Sequence, residues 1–209
     1  MRHPFWRLVA MDEAGGVLVE ATVMLVIIFT SVLGSIDFLM AMYQWNAAAK
    51  AVQLGAHLAA VSDPVSSDLA TLTGLGGGVN PGDPMPDFTR VCDGAAATCS
   101  GGTFDAVAMS TIVYGRGSGT CTGDASYYNF GMCDVFNRIT PANVVITYTQ
   151  TGLGYAGRPG GPVPTITVTL QNMPFRFFFL GGLMGFGNIQ IQPIATETAE
   201  DMKSGAPLN

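Results

Sequence analysis

The sequence predicts an α+β fold: a long N-terminal helix, transmembrane and then amphipathic, packed on a small antiparallel β-sheet with long Gly-rich, disulfide-tied loops. Three observations carry this. Residues 21–36 (ATVMLVIIFTSVLGSI) hold no charge and run into a stretch with helical periodicity. Residues 143–150 (NVVITYTQ) and 165–170 (TITVTL) are β-branched and alternate in polarity. Between helix and strands lie four cysteines in a tract rich in glycine and turn formers.

The apolar run resumes after Asp37 as FLMAMY and is preceded by Val17, Leu18 and Val19, so it reaches the roughly 20 residues that a bilayer requires. Arg2, His3 and Arg7 lie upstream and place the N-terminus in the cytoplasm by the positive-inside rule. A secretory signal peptide cleaved near Ala47-Ala48-Ala49 is the competing reading. Against it, the run exceeds the roughly 7–15 apolar residues of such a peptide, Glu20 interrupts its start, and no turn former follows it.

Beyond the span, Tyr43, Ala47, Ala51, Leu54, Leu58 and Val61 recur at helical spacing and mark the expected buried face, with Gln44, Lys50, Gln53 and His57 largely elsewhere. Asp63-Pro64 ends the helix, because a residue before proline avoids the helical region. The chain therefore divides into a cytoplasmic leader (1–15), a transmembrane helix (16–42), an amphipathic extension (43–62) and an extracytoplasmic loop-rich β domain (63–209).

Glu20 stands at the edge of the span. A carboxylate drawn into hydrocarbon costs several kcal/mol, so such a residue is a functional candidate. The plainer reading places it at the headgroups, where it complements a helix N-terminus. Its context is Gly15-Gly16-Val17-Leu18-Val19-Glu20. This resembles a class III, prepilin-type leader, in which cleavage follows a glycine and a glutamate becomes the fifth residue of the mature chain. Cleavage between Gly15 and Gly16 gives that spacing, and cleavage after Gly16 is the alternative.

The longer stretch from Val17 to Ala60, with the run Gly55-Ala56-His57-Leu58-Ala59-Ala60, resembles the N-terminal signature of the TadE/TadG-like family. ITVTLQNMPFRFFFL and IQIQPIATETAED near the C-terminus fit the same family loosely. Ala21 departs from it, since an aromatic residue is usual there, and the leader is long and contains Asp12 and Glu13. The resemblance implies a minor pilin-like (pseudopilin) subunit of the tight-adherence, type IVb (Flp) pilus system. Its implied place is the bacterial inner membrane, single-pass, with a periplasmic C-terminal domain or incorporation into a surface pilus for adhesion. Its implied partners are a prepilin peptidase, other pilin and pseudopilin subunits, the inner-membrane assembly platform and the lipid bilayer. The new α-amine released by cleavage would pair with Glu20 of a neighbouring subunit. A membrane-anchored binding or adhesion module and an anchored hydrolase stand as alternatives.

Other chemistry finds little support. The net charge is −6 and the nine Lys and Arg residues form no basic stripe, which argues against nucleic acid as a partner. The glycines at 74–78 lack the preceding strand and following Lys-Ser/Thr of a phosphate loop, and no cofactor is expected. His57 is the sole histidine outside the leader, no Gly-x-Ser-x-Gly elbow occurs, and Asp105, Asp124 and Asp134 lie in loop-like sequence. No enzyme is expected.

Cys92, Cys99, Cys121 and Cys133 read as disulfides in an oxidising compartment, with three possible pairings. Proximity favours Cys92–Cys99 and Cys121–Cys133. A zinc site would want a Cys-x-x-Cys pair or a nearby histidine, and neither is present. Residues 188–192 (NIQIQ) alternate and predict a further strand. Residues 175–186 (FRFFFLGGLMGF) are too short for a second span and read as core, with an exposed patch toward a partner or the membrane surface as the alternative.

Overall fold

The structure is a computed structural model that describes residues 13–117, 119–121, 129–174, 177–179, 181–182, 189–199 and 202. Its first element, α1, is a single 48-residue helix, Glu13–Ala60. No proline interrupts it, and its hydroxyl side chains bond to its own backbone. Thr22, Thr30 and Ser35 donate to the carbonyls of Val19, Val26 and Ser31 at 2.8–2.9 Å, which satisfies polar groups on an otherwise apolar surface. The chain forms two compact units, residues 1–42 with 176–187 and residues 43–175 with 188–209.

The second unit carries a five-stranded antiparallel sheet in the order β2-β1-β3-β4-β5. Its strands are β1 (Thr89–Asp93), β2 (Thr98–Cys99), β3 (Val144–Thr149), β4 (Thr165–Leu170) and β5 (Ile194–Thr198). The alternation in β3 and β4 becomes a burial pattern. Val144, Ile146 and Tyr148 on β3, with Ile166, Val168 and Leu170 on β4, are fully buried. They share one core with Ala48, Ala51, Val52, Ala56 and Ala59 of α1, with α2 (Ala106–Tyr114), and with Met132 and Cys133 of α3 (Met132–Val135). The helix-on-sheet α+β class expected from sequence is the one observed.

Two expectations about that core are corrected. Ala51 is buried as expected, and Ala47 and Leu58 pack against the core. The buried face of α1, however, is made mainly by Gln44, Ala48, Val52, Gly55, Ala56, Ala59 and Ala60, whereas Tyr43 is 67% exposed and Val61 41%. The large apolar residues flank the contact and the small ones make it, because close approach needs short side chains. At Gly55 the demand is sharpest: a methyl there would come within 2.5 Å of Met132 Sδ. The last strand is also displaced, starting at Ile194 rather than within 188–192. Its partner β4 ends at Leu170, so the ladder closes with Leu170 N–H donating to the Pro193 carbonyl at 3.4 Å. Gln190 instead makes an isolated bridge to Pro174.

Polar groups fasten the connections. Cys92 is bonded to Cys99 across the β1–β2 pair, and Cys121 to Cys133 at the start of α3. The Tyr148 hydroxyl, wholly buried, accepts the Val65 N–H at 3.0 Å just past the Asp63-Pro64 break. Arg138, packed 5.6 Å from the Phe136 ring centroid, donates to Gln44 Oε1 at 2.9 Å and to the Pro174 carbonyl at 2.8 Å.

Burial pushes the Tyr148 phenol well above its ordinary range, and the Val65 N–H only partly offsets this. In the unfolded chain the phenol ionises near pH about 10, while in the fold it keeps its proton. The unfolded state then binds fewer protons above that pH, so stability falls as pH rises, by about 1.4 kcal/mol per pH unit. Tyr148→Phe should cost roughly 1–3 kcal/mol at neutral pH, because Val65 N–H loses its acceptor, and should flatten the alkaline slope. Unfolding midpoints of the detergent-solubilised chain across the alkaline range check both effects; equal slopes in wild type and variant would exclude Tyr148 as the titrating group.

The bridges close loops spanning 7 and 12 residues. Chain entropy assigns each about 2–3 kcal/mol. Cys121→Ser with Cys133→Ser should lower stability by that amount and leave the far-ultraviolet circular dichroism of the sheet intact. Alkylation of the wild type without reductant should modify none of the four thiols.

Candidate functional site

The candidate site lies on the first unit, along the part of α1 that no core covers. Val17, Leu18, Val23, Leu25, Ile28, Phe29, Phe38 and Leu39 are each more than half exposed. A helix apolar on every side is one made for a nonpolar surrounding. The described helix is long and apolar enough to cross a membrane.

Gly15 and Gly16 lie within this helix, near its N-terminal end, and are exposed. A methyl added at Gly16 would meet nothing within 4 Å, so packing does not require the glycine. Glu20 is exposed one turn further on and makes no ion pair among the described residues. The sequence-derived leader and assembly residues thus share one uncovered helix end.

Asp37 is the site residue that the sequence reading passed over as a mere break in the apolar run. It is 1% exposed. Its Oδ1 accepts the Phe178 N–H and its Oδ2 the Phe179 N–H, each at 2.9 Å. An acidic residue inside an apolar span is itself a signal of function. Its partners, some 140 residues away in the chain, are beyond any local pattern. Phe178 and Phe179 are 68% and 43% exposed, so the core reading of 175–186 fails for these two. Residues 175, 176, 180 and 183–186 of that stretch lie outside the described residues.

The groups weighed for hydrolase chemistry have other work. His57 Nδ1 lies 3.1 Å from Glu197 Oε1, with 61% and 39% of the side chains exposed, so water competes for both. Asp105 caps α2, accepting the N–H groups of Val107 and Ala108 at 2.8 and 3.1 Å. Asp134 accepts the Gly131 N–H at 2.8 Å at the start of α3. Asp124 lies outside the described residues. The glycines at 74 and 76–78 adopt positive φ, which is turn geometry. Among the described residues no three His, Cys, Asp or Glu side chains are grouped to hold a metal ion.

Residues 15–57 match the family model for TadE-like protein. Neither a curated protein nor a solved structure matches the chain. The matched segment holds both leader glycines, Glu20, Asp37 and most of the alanine face of α1. The similarity to TadE-like protein is confined to this helix, residues 15–57.

Proposed function

We propose that the chain is a minor pilin-like (pseudopilin) subunit that takes part in assembling a tight-adherence pilus. The observation that carries this reading is the TadE-like match over the uncovered apolar helix with Glu20 at its edge. In this reading residues 1–15 are a cytoplasmic leader, 16–42 span the inner membrane, 43–62 extend the helix and 63–209 form the periplasmic domain. The peptidase, partner pilins and assembly platform follow from the same reading.

The two glycines have a physical role in processing. A peptidase needs an extended scissile segment, and α1 already includes Gly15 and Gly16 as helix. Each glycine lowers helix stability by about 1 kcal/mol relative to alanine, so unwinding is cheapest there. Hydrolysis of the Gly15–Gly16 bond adds water and leaves an α-ammonium group on Gly16. Glu20 is then about 6 Å away along the axis, placed to meet the ammonium of an adjacent subunit. In low dielectric such a pair is strong, and removing one partner strands the other charge.

In cells with the cognate peptidase the mature chain should begin at Gly16, read by mass spectrometry of the membrane fraction. Gly15→Ile should leave the precursor uncut yet inserted. A mature start after Ala49 would instead identify a secretory signal peptide and end the pilin-type reading.

Glu20→Ala should still be inserted and cleaved but should lose co-purification with the partner pilins and surface piliation. Glu20→Asp, which keeps the charge, should recover part of both. Wild-type assembly by Glu20→Ala would reduce the glutamate to a headgroup-level residue.

A further inference from the structure

Resting on the reading of α1 as a membrane span, we infer that the segment bearing Phe178 and Phe179 is a second membrane contact. It dips into the outer leaflet beside α1, held at that depth by Asp37.

Glu20 and Asp37 are separated by about 26 Å of helix, close to the roughly 30 Å thickness of the hydrocarbon core. The apolar surface does not stop at Asp37. Phe38, Leu39 and Met42 are 63%, 66% and 46% exposed, and Met42 lies about 7.5 Å further along the axis. A surface of that kind suits lipid, so the proposed span includes Asp37 rather than ending before it.

A carboxylate at that level is costly unless its oxygens are satisfied. Both oxygens accept backbone N–H groups, and those bonds, each 2.9 Å, bring Phe178 and Phe179 to the depth of Asp37. The same bonds solve the loop's own problem. Non-helical backbone is tolerated in a bilayer only where its polar groups find partners, and the Asp37 carboxylate supplies them for these two residues. With their N–H groups occupied, Phe178 and Phe179 expose mainly apolar rings, which suits the acyl region beneath the headgroups. Water would leave two aromatic rings uncovered beside an apolar helix; lipid covers all of them together.

The test uses the full chain, with its native cysteines bridged, reconstituted in vesicles of phosphatidylethanolamine and phosphatidylglycerol. A polarity-sensitive fluorophore is attached to single cysteines introduced as Phe178→Cys, as Leu25→Cys within the span, and as Val107→Cys on the exposed start of α2. Nitroxide-bearing lipids quench by depth. The label at 178 should be quenched several-fold more than the label at 107, and best by a shallow nitroxide. The label at 25 should respond best to a deep one. A label at 178 that behaves like that at 107, while 25 still reads lipid, overturns the second contact and leaves the anchor standing. Aqueous behaviour at 25 as well overturns the anchor, and this inference with it. Asp37→Leu, which favours insertion of the helix, should move the label at 178 into water and leave that at 25 in place; an unmoved label at 178 overturns the positioning role of Asp37.

Discussion

A methyl at Gly55 would come within 2.5 Å of the Met132 side chain, and the alanines at 48, 51, 56 and 59 are buried along the same side of α1. The core of the second unit depends on this constraint. These short side chains share one core with the β-branched faces of β3 and β4, and interiors tolerate few voids. Larger residues such as Leu54 and Leu58 are therefore displaced to the margins. A helix that buries alanine gains little apolar area per residue, so the sheet supplies the bulk through Ile146, Ile166, Val168 and Leu170.

A thin helical face also leaves little to fix where the chain goes after α1 ends. Val65 answers this at three atoms: its N–H donates to Tyr148 Oη, and its carbonyl accepts the Asp105 N–H and lies near Cys99 Sγ. The turn is thereby tied to β3, to the cap of α2 and to the Cys92–Cys99 hairpin at once. Arg138 does similar work near Gln44, joining a buried amide of α1 to the Pro174 carbonyl. These are charged and polar side chains used as clamps, which suits a domain whose loops are rich in glycine and proline.

The sequence was most informative where one residue's neighbours decide its state. The two central strands were legible because alternation of Val, Ile and Thr is a local property, and it maps directly onto the burial of β3 and β4. Helical periodicity located α1 and caught Ala51, with Ala47 and Leu58 against the core. It centred the face on larger residues, however, because hydrophobic size marks a face only when the contact is roomy. Here the contact is tight and selects small residues. Residues 188–192 alternate as a strand should, yet the ladder is set by where β4 ends, which no local pattern contains. Gly15, Gly16 and Glu20 stood out by their spacing alone. Asp37 was visible only as a charge, since its meaning lies in two N–H groups that the fold brings from far along the chain.

The two carboxylates of α1 show how one residue type can serve opposite ends. Glu20 is exposed and makes no ion pair among the described residues, so whatever satisfies it in hydrocarbon must come from water, headgroups or another chain. Asp37 is buried, and two bonds from the same chain meet its oxygens. An unsatisfied charge near lipid drives association, because pairing relieves its desolvation. A satisfied one drives nothing outward and instead fixes the local structure around it. The Asp37 end of α1 is thus tied down by the chain itself, whereas the carboxylate at the Glu20 end is left exposed. The helix between them needs to offer only apolar surface and self-satisfied hydroxyls, and Thr22, Thr30 and Ser35 provide those.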